Sequence, residues 1–272
     1  TGSLNGKSEI LVGKFLKNAE DQKKYPKNLI VASKLAPYPW RIGRTGFNKA
    51  FIASQKRLCG YLNRIQLHWS TYRYAPWQEE LLLDNLGDLI ESGEIKELGV
   101  SNVGPLRLQW MNEKMNKRGI KIKSLQVQLS LLAPQSICME NIGNICKDLG
   151  IELIAYSPLA FGILCYPPNK NTIGKTTFLR RNLFKRLLPA SKTLREVINQ
   201  IANNRNSSQS QVALNWCRSH GAIPIPGLRT PEQAKQAVAA LKWDLNNEEK
   251  ERLDKVSLSC KKLMPRNPFQ SN

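Results

Sequence analysis

Polar and ionisable side chains follow several short apolar runs in this chain, at the point where each run ends. A lysine and an imidazole can polarise a carbonyl oxygen or move a proton, while amides, hydroxyls and an aromatic ring can hold a flat polar ligand. If the runs are parallel strands, these side chains meet at one edge of the sheet and predict a catalytic site there. The residues are Lys34, His68, Ser101, Asn102, Gln126, Gln128, Tyr156 and Ser157.

Two of these residues also have a purely structural interpretation. Lys34 can run its aliphatic stem along the core and bring its ammonium group to water. His68 follows an apolar run and precedes Trp69, where a histidine is commonly a hydrogen-bonded core residue. We favour the site because such residues recur at the same place in successive units of the chain.

The apolar runs alternate with amphipathic segments, and glycines stand between them. Leu29–Leu35 is a continuous apolar run ending near Lys34, which is typical of a strand buried on both faces of a parallel sheet. The alternation predicts βαβ units in an α/β fold, and we expect one domain over residues 1–272. The predicted strands are 28–33, 61–68, 95–100, 124–129, 151–156 and 222–225.

The amphipathic segments predict helices between these strands. In the first helix we expect Ser8 to cap the amino end and Ile10, Leu11, Phe15 and Leu16 to share one apolar face. The predicted helices are 8–17, 47–57, 78–92, 104–117, 138–148, 178–188, 191–204, 208–219, 231–241 and 246–257.

Residues 161–190 interrupt the regular alternation. They are rich in proline, asparagine and lysine, and a long segment of this kind inside an α/β domain is usually functional. We therefore predict a basic loop or lid that contains the short helix 178–188. Between Leu153 and Arg195 there are eight basic residues and no acidic one: Lys170, Lys175, Arg180, Arg181, Lys185, Arg186, Lys192 and Arg195.

The chain as a whole is strongly basic. Its 272 residues include 41 Lys and Arg against 21 Asp and Glu, which gives a formal net charge of +20. Such an excess attracts anionic partners, namely a phosphorylated cofactor, RNA or a membrane surface. A solvated basic surface without a dedicated partner explains the composition equally well.

Cysteine and histidine usage argues against disulfides and metal sites. The six cysteines form no Cys-x-x-Cys pair, and there are two histidines in total, so we expect reduced thiols and no structural zinc. The longest apolar stretch, Leu153–Leu164, contains proline, glycine and polar residues, so we predict no transmembrane segment. We expect a soluble protein of a reducing compartment, either plastid or cytoplasm.

Six short motifs stand in the order and spacing of the aldo/keto reductases. The chain resembles this family from Ser8 to Ser257, and most of all its plant, algal and cyanobacterial branch, which is often plastid-targeted; Leu35–Arg41 and Gln211–Trp216 carry that likeness. The motifs are Val31-Ala-Ser-Lys34, Gln66-Leu-His-Trp69, Gly99-Val-Ser-Asn102, Gln126-Val-Gln128, Ala155-Tyr-Ser-Pro-Leu159 and Ile223-Pro-Ile-Pro-Gly227.

The resemblance implies a (β/α)8 TIM barrel that binds NADP(H) without a Rossmann motif and reduces a small carbonyl substrate. In that framework Lys34 lowers the pKa of a catalytic tyrosine, and His68 orients or polarises the carbonyl group. Ser101, Asn102 and Gln126 hold the nicotinamide carboxamide, Tyr156 stacks on the ring, and Ser157 and Leu159 line the pyrophosphate path. The adenosine 2′-phosphate is bound by Gly227, Arg229, Gln233, Lys235 and Gln236.

The resemblance also implies two further barrel strands ahead of Ser8, a catalytic aspartate and a tyrosine-glycine pair. We count six strands, so we expect the first two to be absent from this chain and Thr1 to stand at the tyrosine position. This leaves two hypotheses open. One is an NADPH-dependent reductase; the alternative is a catalytically inactive, reductase-like subunit whose basic surface serves a larger assembly containing RNA or lying on a membrane.

Overall fold

The computed structural model describes residues 6–26, 28–138, 140–169, 177–260, 263–264 and 270–271. Two compact units can be distinguished: unit 1 comprises Thr1–Leu125 with Phe269–Asn272, and unit 2 comprises Gln126–Pro268. Thr1 and residues 170–176 of the predicted lid lie outside the described residues.

Strands and helices alternate along the chain, which confirms the predicted α/β class. The strands, paired in chain order, are β1 (Ala32–Leu35), β2 (Arg64–Leu67), β3 (Glu97–Ser101), β4 (Ile122–Gln128), β5 (Glu152–Tyr156) and β6 (Ala222–Ile225). The helices are α1 (Lys7–Asp21), α2 (Gly43–Arg57), α3 (Pro76–Glu91), α4 (Pro105–Asn116), α5 (Gln135–Cys138), α6 (Ile142–Asp148), α7 (Phe178–Ala190), α8 (Lys192–Asn204), α9 (Gln209–Ser219), α10 (Pro231–Ala239) and α11 (Asn247–Ser259). The described residues contain these six strands; the expectation of two missing ones stays a prediction.

In unit 1 the strands are parallel and their register brings polar side chains to one face. Lys34 is paired with Gln66, and Gln66 is paired with Gly99. A side chain at Gly99 would collide with the side chains of Ser124 and Gln66, so glycine allows the Gln66 amide to donate to Ser124 Oγ at 3.0 Å. Packing therefore explains why glycine occupies the first position of the motif Gly99-Val-Ser-Asn102.

The predicted opening strand, 28–33, was wrong at its start. β1 begins at Ala32, and Leu29 and Ile30 are 38% and 47% exposed. Among the described strands β1 is at one end of the strand order and is paired with β2, and its alternating burial is that of an edge strand rather than one buried on both faces.

The predicted apolar face of α1 was also wrong. Leu11 and Phe15 are 68% and 69% exposed, while the buried positions include Glu9 and Gly13. Gly13 lets the helix backbone approach the carboxyl end of α2, and Glu9 accepts hydrogen bonds from Arg57 at 2.6 Å and from Ser33. Close helix contact and a paired carboxylate thus decide which face is buried.

Unit 2 contains the parallel pair β5 and β6, with Tyr156 opposite Ile225. The predicted helix 138–148 is divided into α5 and α6, with a left-handed residue, Asn141, before α6 (φ 51°). In the predicted loop 161–190 the chain forms a 3-10 helix, Ala160–Cys165, and the helix α7, so the short helix predicted there is confirmed. Arg195 is fully buried and donates to the carbonyl oxygens of Pro167 and Leu188, which fixes this segment.

Candidate functional site

Four of the predicted site residues lie at the carboxyl ends of β1 to β3 in unit 1. Lys34 belongs to β1, His68 directly follows β2, and Ser101 and Asn102 end β3 and follow it. Because side chains alternate along a strand, Lys34 and His68 lie on the same face as Gln66, which pairs with Lys34. The fold therefore brings an ammonium group and an imidazole together at these strand ends.

The environment keeps His68 neutral. Burial, together with the positive charge of Lys34, lowers the pKa of His68 to about 4. Burial also lowers the pKa of Lys34 below its ordinary value. The Nδ1 atom of His68 is buried and has no hydrogen-bond partner among the described residues, so the ring has an unused donor or acceptor.

Asn102 ties the strand ends together. Its Nδ2 donates to the carbonyl oxygen of His68 at 2.9 Å and to Ser101 Oγ at 3.1 Å. Its backbone is left-handed, with φ 58°, a conformation that asparagine tolerates better than most residues. The amide of Ser271 donates to the Asn102 carbonyl oxygen at 3.1 Å, so residues near the carboxyl terminus also reach this point.

A continuous set of aromatic rings extends from His68, and sequence reasoning missed it. The Trp69 ring lies 4.9 Å from His68 and 5.5 Å from Tyr38, and Tyr38 is stacked on Trp40 at 4.5 Å with 8° between the planes. Trp69 Nε1 donates to the Tyr74 hydroxyl at 2.8 Å. We call Tyr38, Trp40, Trp69 and Tyr74 the aromatic wall. The available signal was the density of Tyr and Trp around Lys34 and His68.

Unit 2 contains a cavity of about 680 Å³, here called the unit 2 cavity. Six predicted cofactor-binding residues line it: Ser157, Leu159, Gly227, Arg229, Gln233 and Gln236. Lys235, the remaining residue predicted at the 2′-phosphate, is exposed on α10 and does not line the cavity. Glu232 of the same helix does line it. Gln126 and Tyr156 lie on β4 and β5 and are not part of its lining.

The amino end of α10 is built by local capping. The Thr230 hydroxyl accepts a hydrogen bond from the Gln233 amide at 3.2 Å, and Pro231 occupies the first turn. The Gln233 side chain in turn accepts from the Arg229 amide at 2.8 Å. Gln233 therefore shapes the loop that carries Arg229, and both this loop and the amino end of α10 belong to the cavity lining.

Arg180 of α7 is a second cation in the cavity wall, which the sequence indicated only as one of eight basic residues between Leu153 and Arg195. Its guanidinium donates to the Phe161 carbonyl oxygen and lies 5.1 Å from the Phe184 ring. Its Nε is buried and has no hydrogen-bond partner among the described residues. Ser157 and Phe161 on the same wall have left-handed backbones, with φ 53° and 58°. The cavity thus combines a helix terminus, two guanidinium groups and an unsatisfied donor.

No group of His, Cys, Asp and Glu suited to a metal ion occurs in the described part of the chain. None of the described helices has the length and apolarity needed to span a bilayer.

Comparison with known proteins gives matches over nearly the whole chain. The model of the aldo/keto reductase family matches residues 4–258. Chloroplastic pyridoxal reductase of Arabidopsis thaliana is 40% identical, covering 100% of this chain and 74% of that protein. Versiconal hemiacetal acetate reductase of Aspergillus parasiticus is 28% identical over 90% of this chain and 77% of its own length. Among solved structures, a thermostable aldo-keto reductase crystallised with epalrestat has a TM-score of 0.69 at 21% identity, covering 92% of this chain and 78% of that one.

Proposed function

The chain belongs to the aldo/keto reductase family, and from this membership we propose that it reduces a small carbonyl substrate with NADPH. The observation that carries the cofactor choice is the pair of guanidinium groups, Arg180 and Arg229, in the wall of the unit 2 cavity. Two cations in one wall suit the additional phosphate that distinguishes NADPH from NADH.

The unit 2 cavity fits a nucleotide. Its volume of about 680 Å³ is within the usual range for small-molecule sites. The buried Nε of Arg180 has no partner among the described residues and would gain one from a phosphate oxygen. We assign Arg180, Arg229 and the amino end of α10 to the 2′-phosphate, and Ser157 and Leu159 to the pyrophosphate path; Glu232 in the same wall is the one acidic side chain of the cavity lining that opposes this assignment.

The strand ends of unit 1 suit the carbonyl group. When bound, NADPH supplies the hydride that reduces the carbonyl carbon. His68 is neutral at pH 7 because its pKa is about 4, so it acts as a hydrogen-bond donor to the carbonyl oxygen and not as a charged acid. The positive charge of Lys34 stabilises negative charge that develops on that oxygen. Ser101 and Asn102, at the same strand ends, are proposed to contact the nicotinamide.

Cofactor titration tests the proposal. Tryptophan fluorescence of the purified chain is followed with NADPH and with NADH. We expect tighter binding of NADPH, and Arg180→Met and Arg229→Met are each expected to weaken it about 10-fold or more while changing NADH affinity little. Arg181→Met is the matched control, since Arg181 is exposed and outside the cavity lining. Equal affinities for both nucleotides in all variants would contradict the choice of NADPH.

The family resemblance implies that a tyrosine donates the proton of the product alcohol. The coding sequence ahead of Thr1 tests this directly: an in-frame Asp-x-Ala-x-x-Tyr-Gly supplies the donor. The chloroplastic relative supports a plastid location for this chain as well, which fractionation of cells with an antibody to the chain would check.

A second candidate is the inactive, reductase-like subunit. It is supported by the outer face of α7, where Phe178, Arg181 and Lys185 are exposed and no acidic residue belongs to the described part of 153–195. Under this hypothesis the chain forms a stable complex with an anionic partner on gel filtration of native extract. Migration as a free monomer with reductase turnover would reject it.

A further inference from the structure

We propose that the outer faces of α1 and α2 bind the surface of an anionic lipid membrane. The inference goes beyond the proposed function, because this contact needs neither a cofactor nor a carbonyl substrate. It concerns unit 1 alone, to which both helices belong.

The outer face of α1 carries apolar side chains that the fold leaves exposed. Leu11 and Phe15 are 68% and 69% exposed, and they are four residues apart, so they are neighbours on the helix surface. Ile10 and Val12 of the same helix are 36% and 43% exposed, and Ile52 of α2 is 50% exposed. A group of exposed apolar side chains of this kind is typical of an interaction surface.

Contacts between α1 and α2 determine which side of α1 is turned outward. A side chain at Gly13 would collide with the carbonyl oxygen of Arg57, so the glycine allows the two helices to approach closely. Glu9, one turn earlier on the same side, is ion-paired with Arg57 at 2.6 Å. Because this side of α1 faces α2, Leu11 and Phe15 are directed away from the helix contact.

The charges around this apolar surface are predominantly positive. Residues 7–57 contain twelve basic and three acidic residues, and α2 contains no acidic residue. Two of the acidic residues have partners within the protein, since Glu9 is paired with Arg57 and Glu20 accepts a hydrogen bond from the Tyr61 hydroxyl. The exposed lysines of the two helices include Lys14, Lys17, Lys49 and Lys56.

Apolar side chains flanked by lysines fit the interface of a bilayer with anionic headgroups. The apolar groups enter the boundary between headgroups and acyl chains, while the ammonium groups stay at the level of the phosphates. Nucleic acid fits less well, because single strands bind through bases stacked on aromatic rings and α1 has one aromatic residue, Phe15. A second copy of the chain would bring like charges against each other.

Vesicle sedimentation tests the inference. Protein expressed from the entire coding sequence is mixed with vesicles of phosphatidylglycerol and phosphatidylcholine, or of phosphatidylcholine alone. We expect binding to the anionic vesicles that weakens as salt is raised. Leu11→Ser and Phe15→Ser should each weaken it about 10-fold, and Lys14→Gln combined with Lys17→Gln should weaken it about 10-fold or more.

Matched variants at other exposed positions control for general effects of hydrophobicity and charge. Leu106→Ser removes a leucine that is 74% exposed on α4, and Lys117→Gln with Lys121→Gln removes two exposed charges outside α1 and α2. Both should bind vesicles as the native chain does. Arg181→Gln with Lys185→Gln tests the basic face of α7 in the same way.

Several results would overturn the inference. They are absence of vesicle binding by the native chain, equal binding by the α1 variants and the controls, and loss of binding only in the α7 variant. A shift of single-stranded RNA in a gel that requires Lys14 and Lys17, without vesicle binding, would assign the surface to nucleic acid. A dimer in sedimentation equilibrium that Phe15→Ser dissociates would assign it to a second copy. Reductase turnover is measured separately, since neither result depends on the other.

Discussion

The side-chain nitrogen of Asn102 donates a hydrogen bond to the backbone carbonyl oxygen of His68 at 2.9 Å. This bond joins the residues that follow β3 and β2, so the two candidate site residues hold each other in place. The left-handed backbone of Asn102, with φ 58°, puts its amide in reach of His68.

Substitution of Asn102 should separate the hydrogen bond from the backbone strain. Asn102→Gly keeps the left-handed conformation and loses the bond, and we expect the free energy of unfolding to fall by about 1 kcal/mol. Asn102→Ala loses the bond and adds a strained backbone, so a further loss of about 1 kcal/mol is expected. Urea denaturation measures both. An alanine variant as stable as the glycine variant would contradict the strain argument.

Stability should depend on the protonation of His68. Its folded pKa of about 4 lies below the unfolded value of 6.5, so between these values the unfolded chain binds more protons than the folded one. The free energy of unfolding should therefore fall as pH decreases from about 6.5 to about 4. Denaturant titrations at several pH values measure this fall, which His68→Gln should reduce.

Carboxyl groups with a lowered pKa also contribute stability that the protein loses in acid, and Glu9 and Asp254 are two that are partly buried. Glu9 and Asp254 have ordinary values of 4.5 and 3.8, and their contribution is lost as pH decreases through their lower folded values. The free energy of unfolding is therefore plotted against pH for the native chain and for His68→Gln. Subtracting the second plot from the first removes the contribution of these carboxyl groups. A difference curve that is flat between pH 4 and 6.5 would contradict the lowered pKa of His68.

Removal of the Lys34 charge should raise the pKa of His68. In Lys34→Met the repulsion between the ammonium group and the imidazolium is absent, while burial, the larger cause, remains. NMR titration of the imidazole protons should therefore give a value above about 4 and still below 6.5. Lys49→Met makes the same change at an exposed lysine of α2, serves as control and should leave the titration unchanged.

The buried pair of Glu79 and Arg107 should be essential for the stability of unit 1. The Glu79 side chain is 0% exposed and accepts from Arg107, whose guanidinium lies 3.6 Å from the Trp110 ring centre. Arg107→Met leaves an unpaired buried carboxylate, and we expect a loss of about 3–5 kcal/mol in urea denaturation. The double variant with Glu79→Gln should recover part of that loss. Simple additivity of the two single changes would contradict the pairing.

The sequence by itself determined most of the architecture. Alternating apolar and amphipathic segments placed the six strands and most helix boundaries, because local periodicity reports which side of an element is buried. The polar residues at the strand ends were also predictable, since Lys34, His68 and Ser101 follow directly from where an apolar run stops. The short motifs around these residues carried the resemblance to the aldo/keto reductase family.

Tertiary structure decided what depends on residues far apart in the chain. Gly13 and the Glu9–Arg57 pair determine the buried face of α1, against its apolar pattern. Arg180 reaches the unit 2 cavity only because α7 packs beside it. The neutral state of His68 and the aromatic wall likewise depend on burial and on contacts across loops. No local sequence pattern reports the burial, the pKa or the contacts of these residues. They arise from packing between elements and from the electric field of charges that the fold brings together.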